Sequence, residues 1–231
     1  MIVNLELLAL ALAPALLVMI YIYVKDKYER EPIGLLLKNF GLGASASIVI
    51  TFVFGAIGKY FFPITDPLSI FQQFIKAFFL VALVEEFSKY VIVRYHAQRN
   101  DEFDEPFDGI VYAVMVSMGF AALENVLYVF QFGFENGITR AFTAVPAHAT
   151  FGIIMGYYMG KAKFATTKAD KIRLNITGLI AATLFHGAYD FFLFINFIPG
   201  ISIGAFASLI IGLFFSRKAI KKHQNISRFK H

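Results

Sequence analysis

Residues 108–132 read DGIVYAVMVSMGFAALENVLYVFQF, and this stretch decides the fold class. No Asp, Glu, Lys or Arg occurs between Gly109 and Leu123. A helix rises about 1.5 Å per residue, so a run of this length reaches across the roughly 30 Å of bilayer hydrocarbon. Apolar runs recur on either side, at about residues 3–24, 34–57, 70–94, 138–160, 174–197 and 199–216. The pattern predicts an all-α, polytopic bundle of about seven spans, a single integral membrane domain over 1–231. Only Pro199-Gly200 separates the last two runs, so 199–216 is expected as half of a tight hairpin or as a re-entrant segment.

Composition agrees. Of 231 residues 58% are hydrophobic and 16% charged, with mean hydropathy +0.65, well away from the balance of an ordinary soluble domain. The chain has no Cys, which excludes disulfides, thiolate metal sites and a cysteine nucleophile. The net charge of +5 is no sign of a nucleic-acid partner, because the basic residues sit between apolar runs and at the C-terminus. Alternate connections and the tail hold sixteen Lys and Arg, from Lys25 to Lys230, against only Lys59 and Arg140 on the other side. That bias places the N-terminus outside and the C-terminus in the cytoplasm of a bacterial or archaeal plasma membrane. Lys38 and Lys76 lie near span ends and can snorkel. Ala11-Leu12-Ala13 resembles a cleavage site, but no basic segment precedes it and Pro14 follows, so an uncleaved first span is expected. Tyr21, Tyr23, Tyr60, Phe61, Tyr95, Tyr157 and Tyr158 gather near span ends as an aromatic belt. The acidic stretch from Asp101 to Asp108 is expected to be a solvated loop.

Ionisable side chains at bilayer depth cost something like 2.5–3.5 kcal/mol even on lenient scales. They fall on four consecutive spans: Glu85, Glu86 and Lys89; Glu124 with Asn125; His148; His186 and Asp190. From the rise per residue, Glu85 and Glu86 lie roughly 12–14 Å above the cytoplasmic end, His148 and His186 about 18 Å, Glu124 and Asp190 about 24 Å. All belong to the middle half of the membrane. His186 and Asp190 are i, i+4 and share a face; Glu85 and Lys89 share the same spacing, so Lys89 can neutralise and orient Glu85. Adjacent Glu85 and Glu86 project about 100° apart and are expected to face different points, one working while the other braces a neighbouring helix. The Glu86–Lys89 and Glu124–Asn125 pairs also read as ordinary interhelical bridges.

Several hydrolytic chemistries can be tested against these residues. The zinc motif HExxH and the aspartyl motif GxGD are absent. Gly43-Ala44-Ser45-Ala46 matches a serine-type GxSx pattern, but Gly41 to Ser47 are all small and read better as a helix-packing face. What remains is a Glu, His and Asp constellation. Two mechanisms fit it: Glu85 or Glu86 as general base for a water with His148 or His186 stabilising the oxyanion, or Zn²⁺ held by His148, His186 and Asp190 with a Glu.

Glu85-Glu86-x-x-Lys89, Phe120-x-x-x-Glu124-Asn125, His148-x-x-x-Gly152 and His186-x-x-x-Asp190, in this order over about residues 70–195, resemble the PrsW family of intramembrane proteases. The family is related to the CAAX prenyl endopeptidases and the bacteriocin-associated Abi proteins. The resemblance implies an endopeptidase acting on a membrane-protein or peptide substrate such as an anti-sigma factor, in the first cut of regulated intramembrane proteolysis and a stress response. It also implies catalytic roles for Glu85, Glu86, His148 and His186, supported by Lys89, Glu124, Asn125 and Asp190; it keeps Zn²⁺ open as a cofactor beside the metal-free, glutamate-based route, which is the one preferred here. Glu124 stands where CAAX-type relatives carry His and Asp190 where they carry Asn, which argues against prenylated substrates. The rival reading is a proton- or ion-coupled transporter using the same buried cluster as a relay. It lacks the inverted repeat and paired broken helices that such carriers show.

Overall fold

The computed structural model describes residues 5–230; residues 3 and 4 of the first expected span lie outside them. The chain is a bundle of helices: α1 (Leu5–Lys25), α2 (Ile33–Phe61), α3 (70–95), α4 (Pro106–Phe132), α5 (Phe134–Phe142), α6 (Ala144–Lys163), α7 (Lys168–Phe194) and α8 (Ile203–Asn225). No strand occurs among the described residues. The α-helical ladder loosens into π-turns at Gly43–Ser47 in α2 and Lys76–Ala82 in α3.

One element differs from expectation, and the last run takes the hairpin form. The run at 138–160 is not one span: α5 ends at Phe142 and α6 begins at Ala144. Pro146 explains the break, since its ring would clash with the carbonyl of Phe142 and it has no N–H to give. The final run is a full helix of 23 residues reaching into the basic tail, because Gly200 at φ 77 completes the turn before it.

α4 sits at the centre, sheathed by α1, α2, α6 and α3. Its start is well fixed, with Pro106 in the first turn and a capping box between Glu105 and Asp108. Close approach depends on missing side chains. A Cβ on Gly43 would run into the Val116 backbone, and one on Gly119 into the Phe40 backbone. The Gly43 to Ser47 face is thus a packing face, as small residues at such interfaces allow.

The basic connections meet at one end. Gln224 Nε2 donates to the Lys25 carbonyl at 2.6 Å, Lys163 Nζ to the Gln98 carbonyl at 2.7 Å, and Arg228 pairs with Asp104. The acidic loop is not uniformly solvated: Asp101 and Glu102 are exposed, whereas Phe103, Glu105 and Asp108 are buried.

Candidate active site

Four helices deliver the ionisable residues to one place within the bundle. α3 carries Glu85, Glu86 and Lys89, all buried, and α6 and α7 bring buried His148 and His186 against them. Lys89 Nζ donates to Glu86 Oε1 at 2.7 Å and lies 3.7 Å from Glu85 Oε2. Its tight partner is therefore Glu86 rather than Glu85. Glu85 and Glu86 also reach the same imidazole, despite their 100° separation on the helix: Glu86 Oε1 lies 2.9 Å from His186 Nδ1 and Glu85 Oε2 lies 3.9 Å from His186 Nε2. Their two methylenes close a gap that the Cα directions leave open.

An ammonium group can only donate, which fixes a tautomer. Lys89 Nζ stands 3.3 Å from His148 Nδ1, so Nδ1 accepts and Nε2 carries the proton toward Glu124 Oε2 at 3.0 Å. Each imidazole is thus anchored by a carboxylate through one nitrogen, His148 by Glu124 and His186 by Glu86. Such carboxylate–histidine pairs are how metal-ligating histidines are usually held. His148 Nδ1 faces the Lys89 ammonium and His186 Nε2 faces Asp190 Oδ2 and Glu85 Oε2, so a metal bound by His148 would have to take the place of its Lys89 contact. Glu85, His148 and His186 each offer a ligand atom, all within 4.8 Å of one another. Glu85 Oε2 is buried with no hydrogen-bond partner. Asp190 is not in this trio, but its Oδ2 lies 3.3 Å from His186 Nε2.

Charge completes the picture. By residue type the cluster holds four acidic side chains, Glu85, Glu86, Glu124 and Asp190, against two basic ones, Lys89 and Arg140, an acidic excess of two. A nitrogen and oxygen donor set with that excess fits a divalent ion of the zinc type.

Sequence reasoning passed over Arg140 and Phe151, and gave Phe120 no role beyond its place in a motif. Arg140, counted only as a loop charge, donates to Glu124 Oε2 at 2.6 Å and to Asn125 Oδ1 at 2.7 Å. Asn125 in turn donates to the Ala11 carbonyl at 3.3 Å, so this pair ties α1, α4 and α5 together. Phe151 stacks on His186 with centroids 4.7 Å apart, and Phe120 lies under the Lys89 ammonium at 4.2 Å. The spacing His148-x-x-Phe151 carried the first signal, since i, i+3 side chains share a helix face.

Buried carboxylates and imidazoles thus converge from four separate helices on one place inside the bundle. The family model of the PrsW family intramembrane metalloproteases matches residues 31–216. Protease PrsW of Oceanobacillus iheyensis is 43% identical over 170 residues, covering 73% of this chain and 74% of that one. Protease PrsW of Geobacillus kaustophilus is 42% identical over 172 residues, covering 73% and 71%, and that of Bacillus subtilis 38% over 169, covering 73% and 74%. No solved structure matches. The chain belongs to the PrsW family: it is a multi-pass peptidase of the cell membrane.

Proposed function

We propose that the protein cuts a membrane-protein substrate of the anti-sigma-factor type by metal-dependent hydrolysis centred on Glu85, His148 and His186. The single observation that supports this most is the convergence of these three ligand atoms within 4.8 Å, from three different helices. Zn²⁺ held there would polarise the scissile carbonyl and lower the pKa of a water.

The protein's own groups do the rest. Glu86 holds His186 by Nδ1, and Glu124, itself clamped by Arg140, holds His148 by Nε2, so neither ring can turn away from the centre. Asp190 flanks His186 Nε2 and, of the two carboxylates beside that atom, has the more exposed side chain, 14% against 10% for Glu85. It is the group placed to take the proton of the attacking water. Phe151 and Phe120 wall the cluster and keep its dielectric low, which strengthens each of these interactions. The more accessible members, Glu124, Asp190 and Arg140, lie toward the outer half of the bundle, so the substrate enters from the non-cytoplasmic side.

The test uses purified protein in liposomes with candidate single-span substrates, and products mapped by mass spectrometry. Glu85→Ala, His148→Ala and His186→Ala are each expected to lower cleavage by about 10²–10⁴-fold. Asp190→Asn should fall in the same range while retaining bound metal. Identical product patterns from wild type and Glu85→Ala would remove the protease assignment to this site.

A further inference from the structure

A second acidic cluster sits at the opposite, cytoplasmic end of α4. The first connection supplies Asp26, Glu29 and Glu31, and the third supplies Glu105 with Asp108 at the start of α4. Asp26, Glu31, Glu105 and Asp108 are at most 1% exposed, and Glu29 is half-buried. One carboxylate oxygen each from Glu29, Glu31 and Asp108 lies within 4.8 Å of the others.

Tyr112 and the backbone satisfy one oxygen each of Glu31 and Asp108, while the two carboxyl groups lie within hydrogen-bonding reach of each other with no other donor for their second oxygens. Glu31 Oε2 accepts from the Tyr112 hydroxyl, and Asp108 Oδ2 accepts the N–H groups of Asp104 and Glu105, each at 2.7 Å. Glu31 Oε1 and Asp108 Oδ1 are buried with no other hydrogen-bond partner, and Asp26 Oδ1 with none. Buried carboxylate oxygens are normally paired, because desolvating them unpaired is costly. The nearby cations are spent at the rim: Arg228 pairs with Asp104, and Arg30 stacks over Tyr23.

We propose that Glu29, Glu31 and Asp108 bind a hard divalent cation of the Mg²⁺, Mn²⁺ or Ca²⁺ type, which ties the first connection to the start of α4. An all-oxygen carboxylate set suits such ions, whereas the imidazole-bearing cluster within the membrane suits zinc. The ion would anchor the cytoplasmic end of the helix that carries Glu124 in its outer half. It is independent of the catalytic reading above.

The full-length protein, stripped with chelator in detergent and exchanged out of it, is titrated separately with Mg²⁺, Ca²⁺ and Mn²⁺ at constant ionic strength. Thermal unfolding is followed for each ion, and Mn²⁺ binding by electron paramagnetic resonance. A saturable rise in Tm is expected with at least one of the three, together with a Mn²⁺ site that persists in the His148→Ala/His186→Ala double variant. That site should weaken about tenfold or more in Asp108→Asn, since affinity follows ligand charge. Asp108 also caps α4, so Glu29→Gln, on a half-exposed residue, provides the variant that keeps its cap and must weaken binding too. Absence of a saturable response to all three ions would overturn the proposal. So would unchanged Mn²⁺ binding in Glu29→Gln, or a Glu31→Gln variant stabilised equally with and without metal, which would mean that shared protons balance the cluster.

Discussion

Lys89 is held on every side, by Glu86 at 2.7 Å, by His148 at 3.3 Å and by the Phe120 ring at 4.2 Å. Removing one partner of a buried pair leaves an uncompensated charge, so Lys89→Met should destabilise the fold by about 3–5 kcal/mol, read from unfolding in mixed detergent micelles. Arg140 acts differently. It clamps Glu124 from the half-exposed end of α5, and groups at this remove from a metal site usually contribute 10–100-fold in activity. Arg140→Gln should therefore lower kcat by about 10–100-fold, with the unfolding midpoint nearly unmoved. An equal loss in an Arg140→Lys variant would confirm that the forked guanidinium geometry matters; full activity in Arg140→Gln would remove the positioning role. The identity of the cluster was legible in the sequence because charge at membrane depth is rare. Its pairing was not, since a choice between Glu85 and Glu86 for Lys89 depends on rotamers that spacing does not encode.

Helix packing shows the same division. The small residues Gly41 to Ser47 announced an interface, and α2 indeed packs its Gly43 on α4 and accepts Gly119 against Phe40. Which helix would fill that interface required the fold. Gly119→Ala must push two backbones apart, and overpacking of this kind costs about 1–3 kcal/mol. The unfolding midpoint of Gly119→Ala should drop accordingly. Ser45, by contrast, spends its hydroxyl on the Gly41 carbonyl at 2.6 Å and is not buried. Ser45→Ala should keep cleavage within about twofold and stability within about 0.5 kcal/mol; loss of cleavage would revive a serine mechanism. The break between α5 and α6 was readable from Pro146 alone, yet hydrophobicity runs on through 138–160 and conceals it. The acidic loop misled for a related reason. Composition marks Asp101 to Asp108 as solvated, but Phe103 and Phe107 carry Glu105 and Asp108 inward with them.

At the scale of the whole molecule, the connections that hold most of the Lys and Arg gather at one end of the bundle, so one orientation satisfies all of them. The chain lacks Cys, so single introduced thiols report sidedness without a background. Tyr60→Cys, at a residue 81% exposed, should react with an impermeant maleimide in intact cells, and Arg99→Cys only after permeabilisation. The reverse pattern would invert the topology and put the entrance to the site on the cytoplasmic side. The most direct measurement is the cleavage rate of the reconstituted protein as a function of zinc bound per chain. Proportional activity, saturating as the Glu85–His148–His186 site fills and absent from His186→Ala, is the expected result; full cleavage by metal-free protein would contradict it.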